Sequence, residues 1–103
     1  MSVVALLSVA PYTTESMAPE VAKAVEALEE FDVAYETNPM GTVVEADDID
    51  TLLAATAAAH KAVDGDRVST LLKIDEKRGR EQHADEKVEA VAEELGREPR
   101  KER

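Results

Sequence analysis

A chain of 103 residues, 44% of them hydrophobic, has the size of one ordinary domain. It contains no cysteine, which excludes a disulfide framework, a thiolate nucleophile and cysteine-based zinc or iron–sulfur sites, and which fits a reducing compartment. Twenty-three acidic residues against 12 basic ones give a net charge of −11, so the surrounding field repels phosphate backbones and anionic lipid and argues against nucleic-acid or membrane partners.

The first apolar run, residues 3–9, has no basic region before it and is too short for a signal segment or a membrane span, so a cytoplasmic protein is expected. Val3, Ala5, Leu7 and Val9 alternate with Val4, Leu6 and Ala10, which makes the run apolar on both sides. That pattern predicts a central strand covered on both faces and ended by Pro11. Ser16, Pro19 and Glu20 then open a helix whose apolar stripe runs Val21, Val25, Leu28 and Phe31. Residues 33–37 read as a strand, Asn38 and Pro39 as a turn or bulge, and residues 42–45 as the hairpin partner, with Gly41 free to adopt an unusual backbone angle.

Asp47 is the expected N-cap of a second helix, with a stripe of Ile49, Leu53, Thr56, His60 and Val63 and a stop at Asp64 and Gly65. Residues 68–74 alternate as a final sheet strand, with Val68, Thr70, Leu72 and Ile74 on one face and Ser69, Leu71, Lys73 and Asp75 on the other. A last helix from about Glu81 carries Ala84, Val88, Val91 and Leu95 and stops at Gly96. The domain therefore spans residues 1–95. Residues 96–103 form a charged tail that has no apolar residue but proline and is expected to be disordered.

The order β α β β α β, followed by an extra helix, predicts an α+β fold of the split βαβ, ferredoxin-like kind. Two helices then cover one sheet face, and the last helix is too small to cover the whole of the other. A second copy of the chain is the natural cover, so a homo-oligomer, dimer or tetramer, is expected.

No nucleophile elbow, phosphate loop, dinucleotide fingerprint or paired-histidine motif occurs, so neither an enzyme nor a bound cofactor or metal is expected. His60 reads as a packed, hydrogen-bonded histidine ahead of a general base, and His83 as a solvated one. Glu36, Glu45 and Lys73 are more informative, because strands exclude charge unless it is paired or used. Two acids and a lysine on one face suit a heterocyclic cation; they suit intersubunit salt bridges equally well. The acid excess, with Glu29, Glu30, Glu93 and Glu94 at helix-surface positions, fits either an ordinary acidic protein or one from a high-salt cytoplasm.

The runs from Tyr35 through Met40, Gly41 and Thr42 to Glu45, and from Arg67 through Lys73 to Asp75, resemble the small thiamine-binding protein family. These are single-domain relatives of a tandem-domain bacterial protein that binds thiamine and hydroxymethylpyrimidine. The resemblance covers roughly residues 2 to 95 and includes Ser16 before the first helix, the Ala-His-Lys end of the second helix, and Arg78 after the last strand. It departs at Asn38 and Pro39, where family members tend to have small residues such as Ser-Gly, which implies a stiffer hairpin. The resemblance implies a ferredoxin-like protomer assembled through its sheets and a thiamine or pyrimidine ligand near the sheet edge. The candidate ligand residues are Ser16, Glu36, Met40, Gly41, Thr42, Glu45, Lys73, Asp75 and Arg78. The rival expectation is a regulatory or structural homo-oligomer whose strand charges are intersubunit salt bridges.

Overall fold

The computed structural model describes residues 2–79 and 81–103. Seven elements follow in the order β1 (Val3–Pro11), α1 (Ala18–Leu28), β2 (Val33–Asn38), β3 (Gly41–Ala46), α2 (Ile49–Ala62), β4 (Val68–Glu76) and α3 (Ala84–Leu95). The strands form one antiparallel sheet ordered β2-β3-β1-β4, so the strand that is apolar on both sides lies in the interior of the sheet.

Registers of Val3 with Ala46, Val3 with Glu76, and Val33 with Ala46 place residues of like parity on the same face. One face, carrying Val3, Ala5, Leu7, Val9, Val44 and Ala46, is buried beneath α1 and α2. Ala24 and Leu28 of α1 and Leu52, Ala55 and Ala59 of α2 complete this core, which holds no aromatic ring among its buried members. Phe31 packs against it from just beyond the end of α1.

Two details of α2 differ from the sequence expectation. The N-cap is Asp48, whose Oδ1 accepts the Thr51 N–H at 2.7 Å and whose Oδ2 accepts the Thr51 hydroxyl at 3.2 Å; Asp47 makes no such cap. The buried stripe is Leu52, Ala55, Ala59 and Val63, leaving Leu53 and His60 exposed. Both phases of this alanine-rich helix are apolar. The alanine-bearing one faces inward because small side chains let α2 approach α1 and the sheet closely.

The opposite sheet face carries Val4, Leu6, Ser8 and Ala10 of β1, Ala34 and Glu36 of β2, Val43 and Glu45 of β3, and Leu71, Lys73 and Asp75 of β4. Helix α3 reaches it only at the helix start. Ser2 Oγ bonds both the backbone N–H and C=O of Gln82, and Gln82 Nε2 donates to the Asp75 carbonyl at 2.9 Å. The rest of α3 buries nothing, and its stripe of Val88, Val91 and Leu95 is about half exposed. The radius of gyration is accordingly 15.0 Å, against about 13 Å for a compact chain of 100 residues. Gly96, at φ 73°, takes the left-handed C-cap, and the Arg97 N–H returns to the Ala92 carbonyl. Residues 97–103 carry no regular secondary structure.

Candidate ligand site

Beyond Leu7 and Thr42, β3 and β1 no longer pair, while β1 continues along β4 as far as Pro11. The chain between Asn38 and Gly41 turns in two residues, Pro39 and Met40, so the β2–β3 hairpin ends short of the end of β1. Helix α1 passes over the gap. The result is a cavity of about 160 Å³ whose floor is residues 8–10 of β1, whose wall is Val21, Ala24 and Val25 of α1, and whose rim includes Met17, Met40 and Thr42.

Among the described residues, the lining contains no ionisable side chain. Its polar groups are Ser8, Thr37, Asn38 and Thr42, and the hydroxyls of Thr37 and Thr42 lie 3.3 Å apart in a hydrogen bond. Gly41, at φ 156°, passes so near β1 that a Cβ there would stand 3.1 Å from the Leu7 carbonyl oxygen, so the close approach of hairpin and strand depends on glycine. A space of this size suits one ring: an engineered apolar cavity of about 150 Å³ in another protein takes up benzene.

The residues singled out from the sequence fall into two groups. Met40, Gly41 and Thr42 line this cavity. Ser16 lies just outside, its Oγ accepting the Ala18 N–H at 3.2 Å at the start of α1. Glu36, Glu45, Lys73 and Asp75 share the open sheet face, away from the cavity lining. Arg78 is exposed and lies 3.6 Å from Glu76.

On the open face two of the three acids, Glu45 and Asp75, already have partners. Glu45 accepts the Ala84 N–H at 2.6 Å and lies 3.0 Å from His83 Nδ1, so its carboxylate holds the N-terminus of α3. Lys87 of α3 forms an ion pair with Asp75. His83, expected to be solvated, is a partner of Glu45, although its side chain remains more than half exposed. His60 is exposed rather than packed, with Nδ1 2.6 Å from Thr70 Oγ1. No group of three or more metal-ligating side chains occurs among the described residues.

The signal for the His83 contact was the lone strand carboxylate itself, which needs a donor. The cavity wall gave less warning, since Val21 and Val25 read as an ordinary core stripe.

Partial burial pulls the Glu45 carboxyl upward, but the bonds from His83 and Ala84 outweigh it and hold the group below its ordinary value. The hydrogen bond to Glu45, and then the charge of Glu45, raise His83 above its ordinary value. A raised histidine stabilises fully below its unfolded pKa and loses that contribution as pH rises through the folded value. A depressed carboxylate contributes above its unfolded pKa and loses it as pH falls through the folded value. The tether of α3 is therefore strongest between about pH 4.5 and 6.5. In Glu45→Gln the His83 ring protons, followed by NMR, should titrate at a lower pH than in the parent; an unchanged midpoint would contradict the pairing.

Among the described residues no helix is long and apolar enough to cross a membrane. The profile of the family described as thiamine-binding protein matches residues 5–92. A UPF0045 protein of Methanothermobacter thermautotrophicus is 45% identical over 98 residues, covering 90% of this chain and 99% of that protein. The crystal structure of the hypothetical protein MJ1052 of Methanocaldococcus jannaschii superposes with a TM-score of 0.82 at 41% identity, over 89% of this chain and 97% of that one. A putative thiamine biosynthesis/salvage protein of Thermotoga maritima shares the fold, with a TM-score of 0.68 at 22% identity over 88% of this chain and 99% of that one. With close to the whole domain matched by the family profile and by relatives of similar length, the chain belongs to the thiamine-binding protein family.

Proposed function

We propose that this protein is a non-enzymatic carrier or sensor, working as a homo-oligomer, that binds thiamine or its hydroxymethylpyrimidine moiety in the cavity between α1 and the β2–β3 hairpin. The observation that carries the reading is the cavity itself: room for one ring, an uncharged lining, hydroxyls at Thr37 and Thr42, and a thioether on either side of the mouth. Family membership supports the ligand class. The element order with sheet order β2-β3-β1-β4 supports reading the protomer as ferredoxin-like. In this reading Met40, Gly41 and Thr42 touch the ligand and Ser16 shapes the loop beside it. Glu45 and Asp75 serve to hold α3.

The alternative, strand charges paired between subunits, is favoured by Lys73, for which no ion pair is found among the described residues. It is weakened by the intrachain partners of Glu45 and Asp75.

Calorimetry with hydroxymethylpyrimidine and thiamine, on the parent and on Val21→Trp, separates the two. Val21 is half-buried on the cavity wall, so an indole there fills the space a ring needs. The variant should keep its circular dichroism and lose at least about tenfold in affinity, roughly 1.4 kcal/mol or more. Equal affinity in both proteins would move the ligand elsewhere.

A further inference from the structure

The hydrogen-bond phase of β1 shows which peptide groups face the cavity. Pro11 stands opposite Val68, so the same register puts Tyr12 opposite Arg67, and the Tyr12 N–H donates to the Arg67 carbonyl at 3.0 Å. In an antiparallel pair, residues that exchange bonds with the neighbouring strand alternate with residues that turn their N–H and C=O the other way. Ala10, Ser8, Leu6 and Val4 therefore point these groups at β4. Val3, Ala5, Leu7, Val9 and Pro11 point theirs at the β3 side.

There β3 serves Val3, Ala5 and Leu7 through Ala46, Val44 and Thr42. Val9 comes next. By the same count it would face Met40, which lies in the hairpin turn, outside β3. Among the described residues, no turn, loop or side-chain group hydrogen-bonds to the Val9 backbone, although Val9 is buried and lines the cavity. Pro11, the next residue of this phase, has no N–H to leave unpartnered. The Val9 N–H and C=O therefore face the cavity without a partner from the described residues, as the peptide groups of a free sheet edge do.

We propose that the Val9 backbone is the reading element of the cavity, and that it selects a neutral heteroaromatic ring bearing an amino group next to a ring nitrogen. The inference rests on the cavity being the ligand site. A β-strand residue turns its own N–H and C=O to one side, as a donor beside an acceptor. An amino group next to an unprotonated ring nitrogen presents the complementary acceptor and donor, as an added strand does at a sheet edge. The Val9 N–H donates to the ring nitrogen and the Val9 C=O accepts from the amino group. Because no side chain in the lining carries charge, a protonated ring, a thiazolium ring or a phosphate finds no counter-ion inside; a thiazolium attached to the pyrimidine stays at the mouth.

The test is a ¹⁵N-resolved NMR titration of the full chain with 4-amino-5-hydroxymethyl-2-methylpyrimidine and with the analogue whose amino group is replaced by methyl. The aminopyrimidine should move the Val9 amide downfield more than any other, and the methyl analogue should bind about ten- to a hundredfold more weakly. Binding that leaves the Val9 amide in place, or equal affinity for the two compounds, overturns the Val9 assignment while leaving a pyrimidine site. No perturbation by either compound overturns that assignment together with the cavity as ligand site.

Discussion

Leu52→Ala should lower the stability of the folded domain by about 3 kcal/mol or more, whereas Leu53→Ala should change it by less than about 1 kcal/mol. The two leucines are neighbours on α2. Leu52 is fully buried in the core, while Leu53 is exposed. Truncating a buried leucine removes its transfer free energy and leaves a cavity, and neighbours as small as Ala55 and Ala59 cannot close over the space. For a domain of this size the loss corresponds to a fall in Tm of roughly 10 °C or more. Urea denaturation of the two variants measures the difference directly. Equal midpoints would mean that α2 is rotated relative to the packing described.

On the proposed homo-oligomer, Leu6→Asp should leave an 11.2 kDa monomer that is still folded. Leu6 lies on the open face of β1, opposite Val43 on one side and Lys73 on the other. Val4, Ala10, Val43 and Leu71 share that face, and α3 crosses it only at its first turn. If a second copy covers this surface, as proposed, a carboxylate placed at its centre would be buried without a partner, at a cost that an interface between two acidic chains does not withstand. Light scattering on the parent and the variant decides the matter. A parent that is already monomeric at working concentration would remove the premise.

The elements were legible because each carried a local signal. The two-sided apolar run of residues 3–9, the Pro19 and Glu20 start, the Gly41 hairpin and the Gly96 stop all correspond to observed features. The face shared by Glu36, Glu45 and Lys73 followed from parity alone. Details that depend on tertiary choice were less readable. Asp47 and Asp48 are both capable caps, and only the actual chain direction selects Asp48. Leu52 and Leu53 both fit a stripe, and close packing of α2 on α1 decides between them.

The cavity was the least legible feature. It arises where a hairpin ends before the strand beside it, and that depends on the relative register of β1 and β3 rather than on any residue type. The contact of Glu45 with His83 was not legible either, because the two lie 38 positions apart in sequence. The assignment of Val9 depends on a backbone phase, to which side-chain identity contributes nothing except the tolerance for proline at position 11.

A crystal structure of the protein grown with saturating 4-amino-5-hydroxymethyl-2-methylpyrimidine shows where the ring sits. One ring per chain is expected between Val21 of α1 and Met40 of the hairpin, its amino edge against Val9. A ring seated instead on the open sheet face beside Glu45 and His83 would overturn the cavity as the ligand site.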